Sequence, residues 1–294
     1  MILVTSGTGF IGPKVVHALR AEGRDVRCLV RKPAKAGTLK AWSCEVVQGD
    51  VTDATSLRRA AAGCDAVVHL VSIIAGRRSE FERVMVDGTG NLVAAAQEAG
   101  VRRFLLMSAL GTDAETKDLV PYYWAKWEME QAVQASGLEH VIFRPSFVFG
   151  RDGGMLPMFV RQVRWSPVTP VVGDGERRLQ PVWVEDVAAH FAKAIDLPGA
   201  ANRMFELGGP EVVTWNELYE RIARVLGKRR ARLHLPVPFV RAGAAVAELL
   251  PNPPVTRDQL TMLEAGDNVC DPGPASETFG ISLLSLGEQI RRAA

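Results

Sequence analysis

The sequence predicts a doubly wound α/β fold, in which helices cover both faces of a parallel sheet. Short apolar runs of strand length alternate with segments of helical periodicity from the first residue onward. The runs are continuously apolar instead of alternating with polar residues, which is typical of strands buried on both faces. Pro13 near the start of one helical segment and Gly100 just after another are the expected start and stop signals.

Six strands are expected in the first half of the chain: Ile2–Val4, Val26–Val30, Glu45–Val47, Ala66–Leu70, Phe104–Met107 and His140–Phe143. The segments between them have helical periodicity, as at Val15, Val16 and Leu19, and Asp53 is a start signal for a later helix. This alternation predicts that residues 1–150 form one domain.

The pattern changes after that point, and residues 151–294 are predicted to form a smaller, mostly helical substrate region. Glycine and proline become frequent and strands become sparse. Two capping boxes predict helices: near 215–226, opened by Thr214-Trp-Asn-Glu217, and near 286–292, opened by Ser285-Leu-Gly-Glu288. Segments near 181–207 are expected to return to the first domain.

Composition excludes several classes of protein. The 294 residues carry 35 Lys+Arg against 33 Asp+Glu, so no global field attracts nucleic acid, and none is expected as a partner. The four cysteines form no CxxC motif and lie far from any histidine cluster, so no metal site or disulfide framework is expected and a reducing compartment is favoured. Met1 leads directly into a strand without a signal peptide. We therefore expect a cytoplasmic protein without a transmembrane segment.

The first motif with chemical content follows the first strand. Gly7, Gly9 and Gly12 match G-x-G-x-x-G, with a strand directly before and a helix directly after. Such glycines let the backbone approach a pyrophosphate, whose charge is stabilised by the N–H groups at the helix N-terminus. The motif predicts a dinucleotide-binding Rossmann domain over residues 1–150, although a glycine-rich turn without a ligand is the alternative.

The end of the second strand indicates which dinucleotide binds. A carboxylate at this place would hold the ribose 2′-hydroxyl of NAD, but Arg31 and Lys32 follow Val30 instead. A guanidinium can bind a 2′-phosphate with two hydrogen bonds, so Arg31, assisted by Lys32 or Lys35, favours NADP(H) over NAD(H). The alternative is a solvated basic loop.

A tyrosine and a lysine lie four residues apart after the fifth strand. Tyr122 and Lys126 share one face of the predicted helix. A nearby ammonium group, together with the positive ring of a cofactor, is expected to lower the phenol pKa from about 10 and to make Tyr122 a usable acid or base. A chance pairing is the alternative.

These motifs together resemble the extended and atypical short-chain dehydrogenase/reductase superfamily. The order of the glycine turn, Gly49-Asp50, Tyr122 with Lys126, and Arg144-Pro145-Ser146 carries this resemblance. Further motifs resemble the branch that contains the NAD(P)-binding accessory subunit of respiratory complex I and its bacterial relatives; they are Leu207-Gly208-Gly209-Pro210, the run from Pro253 to Gln259, and Asp267-Asn268.

The resemblance implies roles for individual residues. The residues expected to contact the cofactor are Gly7, Thr8, Gly9, Phe10, Ile11 and Gly12 at the pyrophosphate, Arg31 with Lys32 at the adenosine phosphate, Asp50 and Val51 at the adenine, Leu70, Val71, Ser72 and Lys126 at the nicotinamide ribose, and Pro145 and Ser146 at the nicotinamide. The expected catalytic residues are Tyr122 as acid or base, Lys126, and Ser108 as the group that polarises the substrate.

The sequence departs from the superfamily pattern at three positions. Ser6 replaces the usual first glycine and would crowd the phosphate. The usual catalytic Ser or Thr lies about two residues beyond Ser108, where this chain has Leu110. An asparagine common on the fourth helix is replaced near Met85.

Two functions remain open. The first is an NADP(H)-dependent oxidoreductase or epimerase-like enzyme that acts on a carbonyl or hydroxyl group of a small, in one interpretation lipophilic, molecule. The second is a non-catalytic NADP(H)-binding subunit or redox sensor with a protein partner. The retained Tyr122 and Lys126 favour the enzyme, whereas Ser6 and the weak position of Ser108 favour the binding protein.

Two further segments have competing interpretations. The basic run Lys228–Arg232 is predicted to be a solvated face, with phosphate or anionic lipid as the alternative ligand. The apolar stretch Val237–Leu250, interrupted by Arg241 and Glu248, is too short to span a bilayer. It is predicted to pack in the core, with an interfacial helix that serves a lipophilic substrate as the alternative.

Overall fold

A computed structural model of the chain describes residues 1–248 and 255–294. The elements in chain order are β1 Ile2–Thr5, α1 Gly12–Ala21, β2 Val26–Val30, α2 Gly37–Ala41, β3 Glu45–Gln48, α3 Ala54–Ala61, β4 Ala66–His69, α4 Arg78–Phe81, α5 Asp87–Glu98, β5 Arg103–Met107, α6 Pro121–Gln134, β6 Glu139–Pro145, β7 Val148–Phe149, α7 Leu156–Trp165, β8 Val168–Val172, β9 Arg178–Leu179, β10 Val182–Trp183, α8 Val184–Ala194, β11 Arg203–Leu207, β12 Val213–Thr214, α9 Trp215–Val225, β13 Ala231–Leu235, α10 Val237–Ala247, α11 Arg257–Ala265, α12 Gly273–Phe279 and α13 Leu286–Ala293.

The larger of two compact units contains residues Met1–Pro145, Val184–Leu207 and Pro272–Ser282. Seven of the described strands form its parallel sheet, in the order β11-β6-β5-β4-β1-β2-β3. The predicted doubly wound fold is confirmed, and the six predicted strands are all present in it. The strand order reverses beside β1, and in open α/β sheets ligands bind beyond the carboxyl ends of the strands at such a point.

Helices cover both faces of this sheet. On one face α3, α5 and α6 pack on a core that includes Leu3, Phe104 and Ile142. On the other face α1 packs against α8. The last segment of the unit adds Phe279, whose ring lies 5.6 Å from that of Phe143 and 4.9 Å from that of Phe205.

The smaller unit contains residues Ser146–Trp183, Gly208–Asp271 and Leu283–Ala294. Its core is built by apolar residues of α7, α9 and α13. The helices predicted near 215–226 and 286–292 are confirmed as α9 and α13, and Thr214 caps α9 by accepting a hydrogen bond from the backbone N–H of Glu217. Within the described ranges, no helix has the length and apolar character that crossing a membrane requires.

The prediction that the apolar stretch Val237–Leu250 packs in the core is wrong for its described part. Of the residues of α10, Ala244 alone is buried, and Phe239 and Val246 are 76% and 68% exposed. Helical periodicity does not reveal which face of a short apolar helix meets the core, so the sequence could not decide this point. Leu249, Leu250, Pro253 and Pro254 lie outside the described residues.

Candidate functional site

The turn between β1 and α1 is shaped around Gly12. A Cβ atom at Gly12 would lie 2.1 Å from the carbonyl oxygen of Ser6 and 2.8 Å from the Cα atom of Gly7. Glycine is therefore required for α1 to begin against this turn. Thr8 and Gly9 are exposed, while Phe10 and Ile11 are half-buried. The backbone N–H groups at the start of α1, with no acidic residue in its first turn, suit a bound phosphate.

Ser6 stands in place of the usual first glycine and has a backbone conformation that is unfavourable for serine. Its φ of 58° lies in the left-handed region, which costs a residue with a Cβ atom roughly 1–2 kcal/mol. Its carbonyl oxygen accepts a hydrogen bond from the N–H of Gly9 at 3.0 Å. The turn therefore keeps a glycine-like conformation at Ser6 despite the substitution.

A cavity of about 400 Å³ lies where β2 and β3 end. Its lining residues are Arg31, Gln48, Gly49, Asp50, Asp53 and Arg59. Lys32 is exposed but does not line the cavity, and Val51 is buried beside Gly88 of α5. Of these four predicted residues, Arg31 and Asp50 line the cavity, whereas Lys32 and Val51 do not.

Both carboxylates of the cavity are engaged, whereas Arg31 is not. Asp50 Oδ1 accepts hydrogen bonds from the backbone N–H and the hydroxyl of Thr52, at 3.0 and 2.9 Å. Asp53 caps α3 by accepting from Thr55 N. Within the described ranges, the Arg31 guanidinium makes no hydrogen bond or ion pair. Its charge is thus available to a ligand phosphate.

Arg59 is a cavity residue that the sequence analysis missed. It lies on α3, and its Nη2 donates to the carbonyl oxygen of Gln48 at 3.0 Å, which leaves its other N–H groups available. The basic pair Arg58-Arg59 on the helix that follows β3 was the available signal, but the side of the helix that faces the cavity depends on how α3 packs.

A buried histidine joins the ends of β1 and β4. His69 Nδ1 lies 2.9 Å from Thr5 Oγ1, and His69 Nε2 lies 3.0 Å from Thr89 Oγ1. Thr89 donates its proton to the carbonyl oxygen of Met85, so it accepts from Nε2–H, and Nδ1 accepts from Thr5. Thr5 Oγ1 also accepts from the N–H of Leu70 at 3.1 Å.

This network holds the glycine turn next to the segment that the resemblance assigns to the nicotinamide ribose. Burial, together with the charge of Lys126, lowers the pKa of His69 to about 3, so the ring is neutral and fixed in one tautomer. Leu70 is buried, whereas Val71 and Ser72 are half-buried. The sequence analysis assigned no role to any histidine.

Tyr122 and Lys126 share one face of α6, as predicted from their spacing. Lys126 is fully buried, and its Nζ donates to the carbonyl oxygen of Met107 at 2.8 Å. The same Nζ lies 5.8 Å from the centre of the Tyr122 ring. Ser108 directly follows Met107, and within the described part of the chain its buried Oγ has no hydrogen-bond partner. The structure thus places Lys126 beside the end of β5, where Ser108 begins the next loop.

In the protein without a cofactor, burial has the largest effect on the pKa of Tyr122. Burial raises this pKa to about 12, partly offset by the nearby Ser72 hydroxyl. The two oxygens do not complete a hydrogen bond, because Ser72 Oγ has no partner of adequate geometry within the described ranges. Burial also lowers the pKa of Lys126 to about 7, against the opposing charge of Glu130. Lys126 is therefore only partly protonated near neutral pH, and the expected lowering of the Tyr122 pKa stays a prediction for the protein with bound cofactor.

Pro145 and Ser146 lie in different units. Pro145 ends β6, and its carbonyl oxygen accepts from the N–H of Leu110 at 3.0 Å. Ser146 is buried in the smaller unit, where its hydroxyl donates to the carbonyl oxygen of Gln180. The Ser146 proton is therefore already engaged, while its oxygen keeps the capacity to accept.

The side chains of Gln180 and Asn268 bond to backbone groups within the smaller unit. Gln180 Nε2 donates to the carbonyl oxygen of Gly209 at 2.8 Å, and its Oε1 accepts from the N–H of Cys270 at 3.0 Å. A Cβ atom at Gly208 would lie 2.4 Å from Gln180 Cδ. Asn268 Oδ1 accepts from the N–H of Phe147 at 3.2 Å. These motif residues build the local structure of the smaller unit.

Comparisons with known proteins show to which family the chain belongs. A family model described as NAD(P)H-binding matches residues 7–159. The chain is 33% identical over 251 residues to a ceramide reductase of Caulobacter vibrioides, covering 84% of this chain and 77% of that protein. It is 27% identical over 261 residues to the mitochondrial NADH dehydrogenase [ubiquinone] 1 alpha subcomplex subunit 9 of Arabidopsis thaliana, covering 85% and 63%.

A solved structure shares the fold over nearly the whole chain. An NADPH-dependent quinone oxidoreductase of Escherichia coli, crystallised with NADPH, superposes with a TM-score of 0.82 at 21% identity and covers 99% of each chain. This likeness concerns the fold, and it agrees with the seven-stranded parallel sheet of the larger unit. The chain therefore belongs to the NAD(P)H-binding family.

Proposed function

We propose that this protein is an NADP(H)-dependent oxidoreductase that reduces a carbonyl group of a lipophilic small molecule. The observation that carries the proposal is the buried Lys126, held beside the end of β5 and on the same helix face as Tyr122. A buried amine held by a single carbonyl oxygen has no evident structural advantage over an apolar residue. Similarity to the ceramide reductase and to the quinone oxidoreductase favours lipophilic carbonyl compounds as substrates.

In this reduction, Tyr122, Ser108 and Lys126 would have separate roles. Tyr122, with a pKa of about 12, is protonated at neutral pH and would donate its proton to the substrate oxygen. Ser108 Oγ would donate a hydrogen bond to the same oxygen. Lys126 keeps two further N–H donors for ribose hydroxyls when it is protonated. The nicotinamide, when bound, supplies the hydride.

The preference for NADP(H) is proposed from the cavity at the ends of β2 and β3. Arg31 and Arg59 line it, while its two carboxylates are engaged by Thr52 and by the start of α3. Two guanidinium groups suit a 2′-phosphate, which NAD(H) lacks.

The four cysteines are free thiols, which supports a reducing compartment, and we propose the cytoplasm.

NADPH oxidation by a panel of aldehydes, ketones and quinones tests the enzyme. We expect Tyr122→Phe to lose at least ~100-fold in turnover, the usual minimum for removing a general acid. NADPH binding, followed by fluorescence, should be retained. Tyr123→Phe, at the next position of α6, is the matched control and should keep wild-type turnover. Equal turnover of the Tyr122→Phe variant and the wild type would overturn the assignment.

A non-catalytic NADP(H)-binding subunit is the second candidate. Its support is the similarity to a complex I subunit and the raised pKa of Tyr122 in the protein by itself. For this function we expect tight NADPH binding, slow release, and no NADPH oxidation by any carbonyl compound of the panel. Measurable turnover that depends on Tyr122 would exclude it.

A further inference from the structure

Helix α10 presents its apolar residues to solvent. The residues of α10 that are exposed are all without a polar side chain: Pro238, Phe239, Ala242, Gly243, Ala245 and Val246. The charged residue of this helix, Arg241, instead turns towards α11, where it donates to Thr261 Oγ1 at 3.3 Å and pairs with Glu264. A surface helix normally has the opposite arrangement, with its polar face outward.

Two large apolar side chains are exposed on this face of α10. Phe239 is 76% exposed and Val246 is 68% exposed, and they lie seven positions apart, two helical turns along one face. Single exposed apolar residues are normal on a protein surface. A helix face made entirely of them indicates an interaction surface.

The segment that leads into α10 is strongly basic. Residues 228–236 contain four Lys and Arg and no Asp or Glu, whereas the whole chain carries a formal charge of +2. Lys228, Arg229 and Arg232 are exposed, as the predicted solvated face requires. The last two residues of this run, Ala231 and Arg232, begin β13, and Pro236 connects the end of β13 to α10. An apolar helix face thus follows a cluster of cations in the same unit.

An aromatic side chain lies at the same basic run. Arg230 donates from Nε to the carbonyl oxygen of Val163 at 2.8 Å and from Nη2 to that of Arg164 at 3.1 Å, at the end of α7. The next residue, Trp165, is 77% exposed. Tryptophan is enriched where proteins meet the headgroup region of a bilayer.

We propose that the exposed face of α10, with the basic run 228–232, binds the surface of an anionic phospholipid bilayer. Phe239 and Val246 would enter the boundary between headgroups and acyl chains, and the cations would contact anionic headgroups. A second copy of the chain fits this face less well, because dimerisation through it would bring two basic runs together, and Glu220, which lies 4.0 Å from Arg232, offsets only part of the charge of each run. The proposal does not depend on the enzymatic activity, but such a surface would give the protein access to lipophilic substrates.

Co-sedimentation of the full-length protein with vesicles tests this proposal. One vesicle population contains phosphatidylcholine alone, and the other contains equal parts of phosphatidylcholine and phosphatidylglycerol. We expect binding to the anionic vesicles that weakens as salt is raised. Phe239→Ser combined with Val246→Ser should weaken it about tenfold or more. Because both residues are exposed, the variant should keep the melting temperature of the wild type.

A matched control separates this face from exposed apolar residues in general. Ile74 is 66% exposed in the larger unit, so Ile74→Ser should bind vesicles like the wild type. Absence of wild-type binding to anionic vesicles, or equal binding by the double variant, would overturn the proposal. A dimer detected by light scattering that the double variant abolishes would also overturn it, in favour of a second copy as the partner.

Discussion

Arg144 binds Glu130 through two hydrogen bonds, from Nε to Oε1 at 2.9 Å and from Nη2 to Oε2 at 2.6 Å. Glu130 is buried on α6, one helical turn after Lys126, and its charge raises the pKa of Lys126 against the effect of burial. Tyr122, Lys126 and Glu130 therefore follow one another along one face of the helix at intervals of four residues. The proposed active site thus depends on an ion pair that touches no substrate.

Replacing Glu130 should destabilise the protein. The change Glu130→Gln leaves Arg144 as a largely buried cation without its counter-charge, which typically costs about 3–5 kcal/mol. Urea unfolding at neutral pH measures the loss. The control is Glu98→Gln, which breaks a half-exposed pair with Arg58 and should cost less than about 1 kcal/mol. Similar losses for the two variants would contradict the importance assigned to burial.

His69 should make the protein sensitive to acid. Its pKa is about 3 in the folded chain, whereas an unfolded histidine titrates near 6.5, so between these values the unfolded chain binds more protons. The free energy of unfolding therefore falls as pH decreases through this range, by up to about 1.4 kcal/mol per pH unit from this residue.

The variant His69→Gln isolates that contribution. A glutamine amide can accept from Thr5 and donate to Thr89, but it does not titrate. Urea unfolding between pH 4.5 and 6.5 should give about 1.4 kcal/mol per unit less dependence on pH than in the wild type. Above pH 7 the two curves should run parallel, because His69 is neutral in both states. Equal slopes below pH 6 would show that His69 is not the group responsible.

Arg31 and Arg59 should discriminate between the two dinucleotides. We expect Arg31→Ala to weaken NADPH binding by about 10- to 100-fold, as for loss of a charge-assisted contact, and to leave NADH binding nearly unchanged. Arg59→Ala should have a smaller effect in the same direction, since Arg59 also bonds to Gln48. Fluorescence titration measures both affinities. Lys40→Ala is the control at an exposed position outside the cavity. An equal loss of NADH and NADPH affinity would contradict phosphate recognition.

The change Ser6→Gly should stabilise the protein. Glycine adopts the left-handed conformation of this position without the penalty of a Cβ atom, so we expect a gain of about 1 kcal/mol in the free energy of unfolding. Thermal and urea unfolding measure it. NADPH affinity should not decrease, because the backbone of the turn is already glycine-like. A loss of stability would show that contacts of the Ser6 hydroxyl outweigh the strain.

Local patterns predicted those parts of the molecule that depend on neighbours in sequence. Continuous apolar runs located six of the seven strands of the parallel sheet, all except β11, and the spacing of Tyr122 and Lys126 placed both on one face of α6. Gly12 was recognised from the G-x-G-x-x-G spacing, and the structure adds that the close approach of the turn and the helix leaves room for glycine alone. Each of these features is determined within a few residues of chain.

Other features depend on distant packing and were not accessible in this way. His69 meets Thr5 across 64 positions of sequence, and the cavity position of Arg59 depends on how α3 packs beside β3. The pKa of Tyr122 follows from how deeply its surroundings exclude water, which spacing does not reveal. The outward face of α10 has the same periodicity as a buried face would have.

The larger unit is assembled from three separate stretches of chain, and this has a consequence for its biosynthesis. When β6 leaves the ribosome, its partner β11 is still roughly 60 residues from completion, a delay of several seconds at ordinary rates of translation. Phe279, which packs against Phe143, arrives later still. Until β11 is complete, the nascent chain exposes the unpaired edge of β6 to other chains, and aggregation starts from such edges. Fragments that end before β11 should therefore be expressed mainly as aggregates.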